Sequence, residues 1–463
     1  MAVRLKTANL GGNRKTQSRA QWYSYRRRTE LGLLILVSII TVGAYVIASL
    51  GQTAKIPSDI GPFLGVILLL SLVAHIANRR LVPQASPVIL PLAALLNGIG
   101  YVVIALLDYR EASLQAAWTA VGVAAYVITL LVVRKTIDLD RFRYLMAFAG
   151  IFLLFLPLVP HLGENINGAR LWIRLGPATF QPVEIAKLAL CVFFASYLVE
   201  KRELLSMSTL RVGDRLVPDP RPLGPVLLAW GISMLAIAAE RDIGFAVLIF
   251  ILFVSMIWVA TGRFAYILLA AVLFALGAVI AGHLFAQVHV RIGDWLDPWG
   301  HPVTGYQLRQ AQYAMGWGGL TGDGLGLGHP NLIPVVTSDF IFAAIGEELG
   351  LLGTTAIVFA FVLLVGAGLR TAVTARTDFS KLVATGFTTV IGLQAFLIMA
   401  GVTRVLPVTG ITLPFVAYGG SSLLANYILI ALLMRISNEA DDPRLKPPSE
   451  DEPAVQSPYG APR

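Results

Sequence analysis

The sequence predicts an all-α fold, a polytopic membrane helix bundle of about twelve transmembrane helices. Three observations carry this. Of 463 residues, 56% are hydrophobic and only 14% charged, a balance unlike that of a soluble domain. The mean hydropathy is +0.73. Apolar runs near bilayer-crossing length recur from residue 31 to residue 436.

The chain opens with a polar tail, residues 1–30, carrying Arg4, Lys6, Arg14, Lys15, Arg19 and the triplet Arg26, Arg27 and Arg28. Such a cluster beside a span marks the cytoplasmic side; it serves either as an anchor for anionic membrane lipid or as a topology signal alone. Its length and charge do not fit a cleavable signal peptide. Spans are expected at 31–50, 60–78, 88–107, 116–134, 142–159, 182–199, 223–239, 243–261, 264–286, 339–369, 383–403 and 416–436.

With the N-terminus inside, the cytoplasmic segments hold Arg79, Arg80, Arg134, Lys135, Arg141, Arg143, Lys201, Arg202, Arg211, Arg215, Arg221, Arg263, Arg370, Arg376 and Lys381. The other side holds scattered cations: Lys55, Arg110, Arg170, Arg174, Arg241, Arg291, Arg309 and Arg404. This asymmetry puts both termini in the cytoplasm of a plasma-membrane protein. The membrane domain then covers 31–436, with 287–338 as a large extracellular loop before the tenth helix. Residues 437–463, rich in Pro and charge, are expected to form a disordered cytoplasmic tail. The formal charge of +9 is mostly in cytoplasmic-type tails and loops, so nucleic acid is a poor explanation for it. One cysteine, Cys191, excludes an intrachain disulfide or a cysteine metal site.

The large loop is the informative stretch. It is longer than ordinary connections, and its aromatic residues Trp295, Trp299, Tyr306, Tyr313 and Trp317 argue against disorder. At its end Asp339 stands where polar loop becomes apolar helix. Partial dehydration there raises a carboxylate toward general-base range; a helix cap from Ser338 or Asp339 is the plainer alternative, and both roles can coexist. Asp297, in WLDPWGHP, is the rival carboxylate, in a turn context that suits backbone bonding. GWGGLTGDGLGLG follows no predicted strand and reads as a flexible or tightly turned lid rather than a dinucleotide motif. His301 and His329 lack metal-ligand spacing, and no phosphate-binding P-loop pattern is present.

Outer arginines break the charge rule. Arg170 and Arg174 in one loop and Arg404 in another either converge on an anionic ligand or snorkel at the interface. Trp172 between the first two is a belt residue or a sugar-stacking one. Glu184 and Lys187, three apart on one helix face, either lock helices or meet a ligand. Glu240, Arg241 and Asp242 form a charged break, followed by Gly244, which permits close backbone approach. Glu347 lies eight residues beyond Asp339, on nearly the same face, with Glu348 beside it.

Four separated segments, NGARLWIRLGPATFQPVEIAKL, DPWGHPVTGYQLRQAQYAMGWGG, TSDFIFAAIGEELG and PVTGITLPFVAYGGSSLLAN, resemble the FtsW/RodA/SpoVE (SEDS) family of membrane peptidoglycan polymerases. The resemblance spans roughly 150–436 and implies a ten-helix core, here with two further N-terminal spans as in actinobacterial, RodA-like members. It implies glycosyl transfer from lipid II and the nascent glycan to β-1,4-linked strands on the outer face, with inversion and undecaprenyl pyrophosphate as leaving group. It implies a class B penicillin-binding protein as transpeptidase partner, and other elongation or division machinery. By motif, Asp339 is the family's essential aspartate. Arg170, Trp172, Glu184 and Lys187 fall on its outer-loop and cavity positions, and Glu347 and Glu348 on its paired glutamates. Asp242 falls in its PDxGT-like element, which reads RDIGF here and so leaves that residue's detailed role open. Thr409 stands where many division-type members carry lysine, for which Arg404 is the nearby substitute considered. No resident cofactor is implied, though a divalent cation could assist. A lipid II flippase, a ligase of another lipid-linked glycan and a non-catalytic scaffold remain the competing readings.

Overall fold

The structure is a computed structural model that describes residues 10–55, 60–166, 169–175, 178–206, 210–212, 215–217 and 224–441. It is helical almost throughout. The N-terminal pair is α1 (Leu10–Thr53) and α2 (Ile60–Leu81), followed by α3 (Ile89–Leu107), α4 (Tyr109–Val132), the short α5 (Ile137–Arg141) and α6 (Arg143–Phe155). Then come α7 (Val183–Glu200), the short α8 (Arg202–Ser206), α9 (Gly224–Glu240), α10 (Ile243–Thr261) and α11 (Ala265–Leu284). The chain ends with α12 (Ala286–Leu296), α13 (Tyr306–Gly318), α14 (Ile341–Thr374), α15 (Asp378–Val402) and α16 (Gly420–Asp441). Each predicted span is occupied by a helix. Among the described residues, eight helices qualify by length and composition alone as membrane-crossing.

Helix starts follow local chemistry. Asp108 accepts hydrogen bonds from the Arg110 and Glu111 amides to open α4, Asp242 accepts from Phe245 to open α10, and Thr377 accepts from Ser380 to open α15. Gly262, at φ 69°, closes α10 in the left-handed conformation.

Helix α7 is the central post: from Val183 to Leu198 only Ile185 escapes full burial. It packs on α6, α10 and α15. Helix α11 is the opposite case, burying only Tyr266 and Ala270 and presenting leucine and valine outward. That arrangement suits lipid, where exposed apolar side chains carry no penalty.

Two features were not expected from the sequence. The segment before α7 is a small antiparallel sheet, β1 (Gly163–Ile166), β2 (Ala169–Leu175) and β3 (Ala178–Phe180), and a second pair, β4 (Leu210–Val212) and β5 (Arg215–Val217), follows α8. The long loop is structured, in keeping with its aromatic residues, with most of α12 and all of α13 inside it.

The Gly-rich run after α13 forms a strap over a kink in α14. Gly350 has φ 64° and ψ −162°, and a Cβ there would lie 2.3 Å from the Gly322 nitrogen. The Asp323 and Gly324 amides donate to the Glu347 and Glu348 carbonyls, and the Leu351 and Leu352 amides donate back to Gly319 and Leu320. On its other side the strap meets α1, with Leu325 packed on Tyr45, Ala48 and Val102.

The terminal tails differ from their expected extents. Helix α1 begins at Leu10, so much of the basic tail is helical, and residues 1–9 lie outside the described residues. Arg26 donates to Gln84 O and pairs with Asp441, while Arg27 donates to Ala85 O and to Glu30. Two of the three arginines thus have protein partners. At the other end α16 continues to Asp441, because Ser437, Asn438 and Glu439 accept hydrogen bonds from the Ser86, Gln84 and Thr136 amides. Residues 442–463 lie outside the described residues.

Glu30 is fully buried among Arg27 (2.5 Å), His75 Nδ1 (2.8 Å) and Asn78 Nδ2 (3.2 Å), joining α1 to α2. Removing one member of a buried ion pair strands the other. Glu30→Ala is therefore expected to cost about 3 kcal/mol, seen as a lowered Tm of the purified protein in detergent, with Arg27→Met/Glu30→Leu partly restoring it.

Candidate functional site

Asp339 lies just ahead of α14. The N-cap of that helix is Phe340, and no side chain caps it. The capping role open to Ser338 and Asp339 in the sequence is thus not taken up. The Asp339 carboxyl is half-buried at the mouth of the bundle. Loss of water raises its pKa to about 6, against the opposing pull of the Arg291 guanidinium and a hydrogen bond with Ser338. The segment before it is held by the Tyr418 amide, which donates to Thr337 O at 2.9 Å. Val335, a β-branched residue, has φ 55°. Such a conformation persists only where surrounding structure imposes it.

Asp242 faces the same region from the α9–α10 junction. Its Oδ1 accepts from the Phe245 amide at 3.0 Å, and Gln181 Nε2 reaches Oδ2 at 3.5 Å. Burial raises its pKa to about 6; the Phe245 bond and Arg291 oppose the rise, and Glu184 and Asp339 add to it. Its neighbour Arg241 has φ 64°. Although RDIGF lacks the proline and threonine of the family pattern, the carboxylate still caps α10. Gly244 supplies the close approach read from the sequence: a Cβ there would lie 2.6 Å from Ile411 and 2.7 Å from Thr409 O.

Glu184 and Lys187 form a fully buried pair, bonded Nζ to Oε2. Lys187 also donates to Gln394 Oε1 at 2.9 Å, and Gln394 Nε2 donates to Thr412 O at 3.1 Å. The Lys187 ammonium sits 5.8 Å from the Phe245 ring centroid. The pair therefore both closes on itself and reaches a second helix. Glu184 Oε1 is buried with no hydrogen-bond partner.

Sequence reasoning left Arg291 among the scattered outer cations. In the structure it is the cation of the site. Its Nη1 donates to Thr409 O at 2.8 Å and to Val408 O at 3.4 Å, and its charge acts on both Asp242 and Asp339. Arg291 thus places positive charge beside Thr409, the place for which Arg404 was considered. Arg404 is turned elsewhere: Nε donates to Trp295 O at 2.8 Å, Nη2 to Leu296 O at 2.6 Å, and the guanidinium lies over Trp299. Gln181 and Gln394 were also not foreseen. Gln181, one turn before Glu184, could have been found from that spacing; Gln394 has no charged neighbour in sequence to announce it.

The remaining candidates lie in two other places. Trp172 and Arg174 alternate on one face of β2, whereas a bulge at Leu171 sets Arg170 opposite Asn165, on the other face. Arg170 and Arg174 are exposed, and Arg174 pairs with Glu164. Glu347 and Glu348 are buried under the strap, accepting from the His329 amide at 2.7 Å and the Gly326 amide at 2.5 Å. Asp297 serves the backbone, accepting from the Trp299 and Gly300 amides. Among the described residues no three His, Cys, Asp or Glu side chains converge as a metal site. Glu184 is already paired with Lys187, and the local positive charge comes from Arg291, so no step here is routed through a metal ion.

The sequence model of the cell cycle proteins FtsW, RodA and SpoVE matches residues 88–442. The chain belongs to this family. It is 40% identical over 440 residues to the peptidoglycan glycosyltransferase RodA of Mycobacterium tuberculosis, an alignment covering 92% of this chain and 94% of that one. It is 37% identical over 290 residues to the stage V sporulation protein E of Bacillus subtilis, covering 62% of this chain and 76% of that one. The fold aligns with the crystal structure of the rod shape determining protein RodA of Thermus thermophilus at a TM-score of 0.55, with 23% identity over 76% of this chain and 96% of that one. It also aligns with a structure described as coordinating polymerization and crosslinking in a peptidoglycan synthase complex, at a TM-score of 0.62 with 24% identity over 75% and 96%. The family match begins at residue 88, so α1 and α2 lie ahead of it. Asp339, Asp242 and Arg291 all lie within it.

Glu348→Ala removes the acceptor for the Gly326 amide. A hydrogen bond to a charged group contributes about 1.5–3 kcal/mol, so amide exchange across 322–329 is expected to accelerate by about tenfold or more. Hydrogen–deuterium exchange read by mass spectrometry checks this, with α7 as the unchanged reference.

Proposed function

We propose that this chain is a peptidoglycan glycosyltransferase that polymerises lipid II into β-1,4-linked glycan at the outer face of the plasma membrane. The observation that carries the reading is Asp339: a carboxyl free of capping duty, raised to about 6, beside a guanidinium. Relatives named peptidoglycan glycosyltransferase RodA, aligned over 92% of the chain, support the activity. Transport of lipid II without chemistry gives such a carboxylate no task.

The acceptor hydroxyl, C4–OH of the lipid II GlcNAc, is a poor nucleophile until its proton is taken. Asp339 takes it. The oxygen attacks C1 of the donor strand's reducing-end MurNAc, inverting the α-linkage to β, and undecaprenyl pyrophosphate leaves with the bonding electrons. That leaving group is already phosphorylated, so it needs cationic stabilisation more than a strong acid. Arg291 is the cation beside Asp339 and Asp242. Trp172 and Arg174 on one face of β2, with Arg170 across the bulge, are the outer groups proposed to meet the sugar and anionic parts of the arriving substrate. Lys187 and Glu184 hold the helices behind the site, and Glu347 and Glu348 hold its strap.

The cationic segments support a topology with both termini in the cytoplasm and residues 287–338 outside. The partner is a class B penicillin-binding protein supplying the transpeptidase. Alignment over 92% of the chain with relatives named RodA, against 62% with relatives named FtsW, supports the RodA-like, elongation role over the FtsW-like, division one.

The test is polymerisation from purified lipid II by the reconstituted protein with its partner. Asp339→Asn, which keeps shape but not basicity, is expected to make no polymer; wild-type polymer from the folded variant would overturn the assignment. The base must be charged to act, so the rate is expected to rise with pH through about 6 and then level. The limb belongs to Asp339 and Asp242 together. Arg291 favours the charged forms, so Arg291→Ala is expected to move that limb to higher pH by about one unit, measured as rate against pH.

A further inference from the structure

The aromatic residues of the large loop have no task in the chemistry above. Trp295 stands in the wall of an open pocket with Leu296, Gln312, Thr403 and Arg404, and Trp299 and Tyr313 adjoin it through Arg404. Arg404 carries Trp299 on its guanidinium, with the ring centroid 5.3 Å from Cζ. Trp299 Nε1 in turn donates to the Tyr313 hydroxyl at 3.3 Å. Trp299 is 51% exposed and Tyr313 46% exposed, although each is fixed in place.

The walls are bonded to one another. Trp295 Nε1 donates to Arg404 O at 3.1 Å, and Arg404 donates back to Trp295 O and Leu296 O. Gln312 Nε2 donates to Val402 O at 2.7 Å, and the Thr403 hydroxyl donates to Met399 O at 2.8 Å. Arg404 itself sits at φ 62°, a conformation imposed by these partners. A platform built this rigidly orders little on binding.

Its chemistry matches a sugar. Pyranose rings offer an apolar C–H face for aromatic stacking and a rim of hydroxyls and amides for polar groups. Trp295 in its wall and the half-exposed Trp299 beside it offer flat aromatic surface, and Arg404, Thr403 and Gln312 offer a guanidinium, a hydroxyl and an amide. A lipid-facing belt is a poorer match, because Gln312, Thr403 and Arg404 make three of the five lining residues polar. The pocket is also joined to the site. Trp295 is four residues beyond Arg291 on α12, one helical turn, so the helix that brings the cation to Asp339 also forms the pocket wall.

We propose that this pocket is a glycan subsite, holding N-acetylhexosamine units of the growing strand one helical turn from Arg291. The proposal rests on the polymerase reading for the identity of its occupant. It gives the strand a resting place between additions.

The test uses the full chain in nanodiscs and a lipid-free tetrasaccharide of alternating GlcNAc and MurNAc as probe, with affinity read by calorimetry. Trp299→Ala is expected to weaken binding about fivefold, and Trp299→Tyr, which keeps a ring, to retain most of it. In the polymerisation assay Trp299→Ala is expected to shorten the strands by a larger factor than it slows lipid II consumption. Asp339→Asn is expected to bind the tetrasaccharide as wild type does while making no polymer, which separates the subsite from the catalytic reading. Equal affinity of wild type and a folded Trp299→Ala overturns the subsite even where polymerisation is intact. The subsite is likewise overturned if Trp299→Ala leaves tetrasaccharide affinity unchanged but weakens binding of the transpeptidase or of protein-free anionic vesicles, since the surface would then be a protein or lipid contact.

Discussion

One ammonium group carries much of this molecule. Lys187, fully buried on α7, bonds Glu184 on its own helix and Gln394 on α15, and lies near the Phe245 ring of α10. Through Gln394 it fixes Thr412, and with it the Thr409–Thr412 segment whose carbonyl receives Arg291. A charge in such a place is costly unless its partners are complete. The need to complete them sets the positions of α7, α15 and the Thr409–Thr412 segment. The two carboxylates at the mouth, Asp242 and Asp339, inherit their separation from that arrangement.

Those carboxylates show how environment assigns work. Both are raised to about 6 chiefly by loss of water, and both are pulled back by the same guanidinium. Yet Asp242 is committed to the first turn of α10, whereas Asp339 precedes a helix that no side chain caps. Two like residues in one field are thus given different duties by the backbone each one follows.

The membrane plan was legible because apolar runs of bilayer length leave few alternatives, and the helices fall where hydropathy places them. Asp339 was legible because charge at the edge of an apolar helix is conspicuous. Arg291 was less so: it lies in an amphipathic stretch where an arginine needs no special reason, and only folding brings it to Thr409. The β1–β3 sheet escaped notice because short strands broken by glycine and proline resemble loop. The capping alternative for Asp339 depended on the φ and ψ of Phe340, which composition does not reveal. The Glu347 and Glu348 roles turned on strap amides twenty residues earlier, a pairing that no local pattern announces.

The strap has a bearing on how the N-terminal helices are attached. It lies between the kinked helix α14 and helix α1, with Leu325 seated on Tyr45 and Ala48. A Cβ at Gly51 would collide with Leu325 O, and one at Gly326 with Ala48 O. The N-terminal pair is therefore not a detachable appendage. A side chain added on one of the segments Ala48–Gly51 and Leu325–Gly326 can be accommodated only by a matching shift in the other.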